Sequence, residues 1–188
     1  NLSDYERPYQ VIYHANFGAP LLEGGAHFRA AVKEVIPFND YAKAGLKGWQ
    51  TYLGPTKGFD EMVFNLVPYS DAEGNTLAVL NNKAGSAGVA VGYNTKQLPV
   101  LTLWKNTDTR AQGYVTGIEP GTSYAYSTKY QRPLGLVPKI QPGETKTFDL
   151  TYRLLRNGEE VKQALAEVDK IQGGRPTEMR ELPLVKLP

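Results

Sequence analysis

The run Thr145-Lys146-Thr147-Phe148-Asp149-Leu150-Thr151-Tyr152-Arg153-Leu154-Leu155 sets Phe148, Leu150, Tyr152 and Leu154 against Thr147, Asp149, Thr151 and Arg153. A period of two marks a strand with one face buried, and Pro142-Gly143 supplies the turn before it. Similar short runs recur upstream. Pro8–His14, Glu61–Tyr69, Thr76–Leu80, Gly88–Tyr93, Val100–Lys105 and Gly113–Ile118 all read as strands rich in β-branched and aromatic residues. The bend Asp71-Ala72-Glu73-Gly74-Asn75 between two of them predicts a hairpin, because Gly and Asn supply positive φ. Nineteen glycines and thirteen prolines punctuate these runs. The pattern is that of an all-β protein, an antiparallel β-sandwich.

Helix signals are few. Val161, Ala164, Leu165, Val168 and Ile171 fall at helical spacing between Asn157-Gly158 and Gly173-Gly174, predicting a short helix within 156–174. Ala26–Val35 admits a weaker helical reading, and Phe38–Pro55 reads as a long excursion between strands. Beyond Gly174, the run Leu182-Pro183-Leu184-Val185 suits an edge strand or a surface strap over 175–188, since proline cannot donate to a ladder.

Composition excludes several classes. The 188 residues contain no cysteine, which removes disulfide frameworks, zinc–thiolate and iron–sulfur centres and thiol nucleophiles. Lysine and arginine number 21 against 19 acids, a scattered balance that argues against nucleic acid as the main partner. No apolar run approaches the roughly 20 residues of a membrane-spanning helix, and no signal peptide is visible. The expectation is a soluble, cytoplasmic protein. The chain begins at Asn1 without an initiator Met and reaches a strand-like run almost at once, so the expectation is either processing or the later part of a longer polypeptide.

Glycine-serine elbows, phosphate loops, His-Glu-x-x-His helices and dinucleotide fingerprints are all missing. With His14 and His27 as the only histidines, a transition-metal centre would be short of ligands. His14 ends a strand and precedes Ala15-Asn16-Phe17-Gly18; it is either a proton donor at a pocket rim or a half-buried imidazole bonded to the following loop. Glu119 follows Tyr114-Val115-Thr116-Gly117-Ile118 and is held extended by Pro120. Beside apolar residues its pKa would rise toward the working range of a general base; the alternative is a rim carboxylate capping a turn. Asp60, at the entry to a strand, could bridge vicinal hydroxyls or simply cap its turn. Trp104, before Lys105-Asn106, and the tyrosines 124, 126 and 130 offer either sugar-stacking faces or core packing.

Three segments in order resemble the aldose 1-epimerases (galactose mutarotases). His14-Ala15-Asn16-Phe17 after a β run is similar to their Asn-His-x-x-Phe segment, Gly58-Phe59-Asp60 to their Gly-[Phe/Tyr]-Asp, and Ile118-Glu119-Pro120 to their Glu-[Thr/Pro] segment. The texture of Tyr13–Leu22, Trp104-Lys105-Asn106, Gly117–Thr122 and Leu136 to Pro142-Gly143-Glu144 resembles most the less-studied aldose-1-epimerase-related proteins. The resemblance implies a galactose-mutarotase-like supersandwich that interconverts aldose anomers without metal or organic cofactor. On that resemblance His14 is the acid, Glu119 the base, and Asp60, Asn16 and Trp104 contact the sugar. Asn16 stands where the family usually has an aromatic, and Gly121 where it usually has Gln. The family's earlier segment, with a further histidine and an arginine, has no match here. The chain therefore reads as the C-terminal half of such a protein, with the missing N-terminal segment as companion and a monosaccharide as substrate. A non-catalytic carbohydrate-binding sandwich is the alternative.

Overall fold

A computed structural model describes residues 1–186. Along the chain lie strands β1 (Arg7–Pro8), β2 (Ala15–Gly18), β3 (His27–Ala30) and β4 (Val32–Pro37), then the one-turn helix α1 (Asp40–Lys43). β5 (Met62–Pro68), β6 (Asn75–Asn81), β7 (Gly88–Asn94), β8 (Val100–Asn106) and β9 (Val115–Gly121) follow. The last elements are α2 (Thr128–Gln131), β10 (Lys139–Ile140), β11 (Leu150–Leu155), α3 (Gly158–Gln172) and β12 (Glu178–Met179). The large sheet runs β12-β4-β5-β8-β9-β2, and the smaller one β11-β7-β6-β3. Every pairing is antiparallel except β12 with β4. The fold is an all-β sandwich.

The two sheets enclose the main core. Phe64 and Leu66 of β5, Leu101 and Leu103 of β8 and Ile118 of β9 meet Phe28, Leu80, Val89 and Val91 from the smaller sheet. Because successive side chains alternate, Asn65, Thr102, Trp104 and Glu119 fall on the opposite face of the large sheet. Helix α3 covers the outer face of the smaller sheet, laying Val161, Ala164 and Val168 on Leu77, Val79 and Ala90. The excursion between β4 and β5 is tied down by Lys105 Nζ, which donates to the carbonyls of Trp49 (3.0 Å) and Thr51 (2.7 Å). Among the described residues no helix is long and apolar enough to cross a membrane.

Several elements depart from the sequence reading. Residues 61–80 give strands but not a hairpin: β5 pairs with β4 and β8, β6 with β3 and β7. The bend is local, with Asp71 accepting from Asn75 N, but Pro68 cannot extend the ladder. The chain instead crosses the roughly 10 Å between packed sheets. Ala26–Val35 is not helical. It forms β3 in one sheet and β4 in the other, turning at buried Ala31, and Ala26, Phe28 and Ala30 alternate inward. The run 8–14 is regular only at Arg7–Pro8, and regular pairing resumes at Ala15. Between them the chain follows Pro120–Thr122 through isolated bonds, Tyr13 N to Pro120 O and Thr122 N to Val11 O, because Pro120 has no N–H to offer. Thr145–Asp149 precede β11, and there the Gln97 side-chain amide replaces a strand partner by bonding Asp149 N and its carboxylate. Within the strap, Glu178–Met179 pair at the sheet edge; Leu187 and Pro188 lie outside the described residues.

On β11, Leu150, Tyr152 and Leu154 share the inner face of the smaller sheet with their partners Tyr93, Val91 and Val89. Tyr152 and Leu154 nevertheless remain 47% and 77% exposed.

Helix α3 begins where Asn157 Oδ1 accepts from Glu160 N at 2.9 Å and ends at Gly173 in the left-handed region, φ +59°. Asn157→Ala removes the cap bond at a cost of about 1 kcal/mol. Thermal unfolding should show a midpoint lower by about 2–4 °C, while Asn157→Asp retains the native value.

Candidate active site

The outer face of the large sheet carries two adjacent cross-strand rows. In the first, Asn65 of β5 faces Thr102 of β8, and Thr102 faces Glu119 of β9. The β2–β9 register pairs Ala15 with Ile118, so one residue earlier His14 comes opposite Glu119. In the second row Val63 faces Trp104, Trp104 faces Gly117, and Gly117 faces Asn16. Residues distant in sequence are thus neighbours by register alone. They border a cleft of about 360 Å³ in which His14, Glu119, Thr102, Trp104 and Glu61 face apolar sides formed by Ile12, Phe38 and Val63. A roomier hollow of about 790 Å³, between residues 39–41 and the tail, contains neither His14 nor Glu119.

His14 Nε2 lies 3.1 Å from Glu119 Oε1. The carboxylate is 3% exposed and the imidazole 54%. Their contact is a charge contact rather than an aligned hydrogen bond, and Glu119 Oε1 has no other partner. Burial is the main force on Glu119; the His14 charge opposes it, Glu61 adds to it, and the carboxyl is pushed up to about 6. On the other side of the ring, His14 Nδ1 donates to Asn16 Oδ1 at 2.9 Å. That bond fixes the orientation of the ring and leaves Nε2 facing Glu119. Trp104 touches the His14 ring edge-on at 5.6 Å between centroids, and its indole Nε1 donates to Glu61 Oε2 at 2.7 Å. The arrangement suits proton transfer: one group can enter protonated and its neighbour deprotonated, both in reach of one ligand. Among the described residues no three His, Asp or Glu side chains cluster to hold a metal ion.

Of the residues singled out from sequence, His14, Glu119 and Trp104 meet at this cleft, and Asn16 meets it through His14. Asp60 does not line it. Its carboxylate accepts from Glu61 N in the exposed loop before β5, and the next residue, Glu61, faces the cleft instead. Glu119 lies inside β9 rather than after it. The imidazole and carboxylate stand side by side on one wall, with no sugar-sized gap between them. Tyr124 and Tyr126 are core residues; Tyr126 stacks on Phe38 at 4.4 Å and holds that wall of the cleft in place. His27 is on β3 in the smaller sheet, where burial holds its pKa below the ordinary value. Glu61 and Thr102 were missed. Strand parity held the signal, since 61 alternates in phase with Val63 and 102 with Trp104.

Residues 1–154 match the family model described as a domain of unknown function, DUF4432. The chain belongs to the DUF4432 family. It is also similar to a crystal structure from Klebsiella pneumoniae subsp. pneumoniae described as "a putative aldose 1-epimerase", at 55% identity and a TM-score of 0.98. That match covers all of this chain and 49% of the other, so the chain spans about half the length of the solved protein. No curated protein matches. Likeness of this degree places the DUF4432 chain in the aldose 1-epimerase-like superfamily.

Within this DUF4432 domain, Gly117 makes room for the buried acid. A Cβ built there would run into the Glu119 carboxyl group, whose carbon would be 3.0 Å away. Gly117→Ala should therefore dislodge the carboxylate from His14 and cost about 1–3 kcal/mol. An NMR titration of the Glu119 carboxyl would then differ from wild type while the far-UV spectrum is kept; an identical titration would show that the carboxylate has room to spare.

Proposed function

We propose that this chain carries the acid–base pair of an aldose 1-epimerase-like isomerase, with His14 as acid and Glu119 as base. The observation that carries the reading is the 3.1 Å contact between an exposed imidazole and a buried carboxylate on one wall of a sugar-sized cleft. Opening an aldose ring requires action on two oxygens that share one carbon, so the acid and base must be neighbours. Glu119 takes the proton from the anomeric hydroxyl; the carbonyl forms as the bond from carbon 1 to the ring oxygen breaks; His14 Nε2 delivers its proton to that ring oxygen. Rotation about the bond from carbon 1 to carbon 2 and reclosure from the other face, with roles reversed, completes the exchange.

Each environment fits its role. Desolvation keeps Glu119 basic enough to accept a proton near neutral pH. Asn16 keeps Nε2 turned toward the reacting atoms. Trp104, held by Glu61, offers an aromatic side against which the C–H face of a sugar can lie. A carbohydrate-binding module without turnover would use Trp104 equally well but has no need of the charge contact, which favours the isomerase. Exposed Tyr152 and Leu154 on the inner face of β11 fit the further chain of a longer protein, which would cover them as a sandwich core is covered.

Glu119→Gln should slow anomer exchange by about 100-fold or more, measured by polarimetry or NMR exchange, with sugar affinity retained. His14→Asn slows the same reaction; wild-type turnover in both variants excludes this pair. The base must be ionised, and its pKa is raised to about 6, so kcat/KM should fall as pH drops below about 6. Glu61→Gln removes a charge that raises Glu119 and should move that acid limb to lower pH. A limb that stays in place would rule out Glu61 as its modulator.

A further inference from the structure

Three buried oxygens of one cross-strand row lack any hydrogen-bond partner: Asn65 Oδ1, Thr102 Oγ1 and Glu119 Oε1. Buried polar atoms are almost always paired, so three in one row call for a reason. Asn65 is closed off from the cleft, its amide donating to the Tyr126 hydroxyl at 2.8 Å. Thr102 is different. It is 1% exposed, borders the cleft, and stands directly across from Glu119. The Glu119 carboxyl leans over Gly117, and the Thr102 hydroxyl is left without a partner.

The order across the sheet is His14, Glu119, Thr102. Around an aldose ring the matching order is ring oxygen, anomeric hydroxyl, hydroxyl of the next carbon. Side chains paired across strands stand roughly 4.5–5.5 Å apart at Cβ, a spacing that lets adjacent groups address adjacent oxygens of one sugar. We infer that Thr102 is a specificity-determining residue that bonds the hydroxyl on carbon 2, so that the substrate is an aldose with that hydroxyl free. The assignment rests on the isomerase reading of the same cleft. A threonine hydroxyl both donates and accepts, so it can follow the carbon-2 hydroxyl while the anomeric hydroxyl beside it loses its proton. A sugar lacking that group would leave the Thr102 hydroxyl buried and unpaired in the complex, at a cost in kcat/KM.

The test compares NMR anomer exchange on D-glucose and D-galactose with exchange on their 2-deoxy counterparts, in the full chain and in Thr102→Val and Thr102→Ser. The ratio of kcat/KM for hydroxy over deoxy sugar should fall by about tenfold in Thr102→Val, the size of one buried hydrogen bond, and recover in Thr102→Ser. Comparing ratios between variants cancels the intrinsic reactivity of the two sugars. Because the hydroxyl has no protein partner, Thr102→Val should melt no lower than wild type. An unchanged ratio, or a clearly lowered melting temperature, overturns the assignment. Exchange on neither pair overturns the isomerase reading and this inference with it. Exchange retained in Glu119→Gln together with a collapsed ratio in Thr102→Val overturns the base alone and supports Thr102.

Discussion

A carboxylate withdrawn almost wholly from water and met on one side by an imidazole is the constraint around which this domain is arranged. Burying a charged group without paired donors is costly, and Glu119 answers that cost with a raised affinity for protons and with the neighbouring His14. Neither response would survive a loose backbone. The carboxylate keeps its place because β9 is held on both sides, by β8 and β2, and because Ile118 and Leu103 pin the other face of the sheet into the core. Gly117 contributes by having no side chain, which leaves the space into which the acid folds.

The large sheet divides its labour by parity. Even-numbered positions of β5 and β9 and odd-numbered positions of β8 mostly build the hydrophobic interior, and the intervening residues build the cleft. Within β8, Trp104 follows the rule and shares its face with Thr102, while Lys105 is the charged exception that turns inward to fasten the excursion after β4. Supports radiate from the cleft in the same economical way. Asn16 orients His14, Glu61 orients Trp104, and Tyr126 orients Phe38. Each fixes the orientation of a ring that borders the cleft.

The unanswered oxygens of Asn65, Thr102 and Glu119 sit against this order. A core selected for stability alone would have paired them or replaced them with apolar groups. Local violations of that kind concentrate where a ligand is meant to supply the missing bond, and the proposed sugar would do so at two of the three positions.

Much of this was written in the local sequence. Alternation announced the strands from 61 to 118, the Asn157 cap and the spacing from Val161 to Ile171 announced α3, and the Glu-Pro and His-Ala-Asn-Phe segments pointed to Glu119 and His14, which meet at the cleft. These are properties of a few adjacent residues, set by side-chain periodicity and backbone sterics. Pairing is not. Whether β5 turns back on β6 or crosses to the other sheet, whether Ala26–Val35 coils or divides into two strands, and which acid of Asp60-Glu61 faces the cleft depend on partners supplied from elsewhere in the chain. Local alternation names the face of a strand but carries no information about its neighbour. The meeting of His14, Thr102 and Glu119 is a matter of register across three strands, fixed only when the buried faces of both sheets close on each other and leave one alignment in which every apolar side chain is covered.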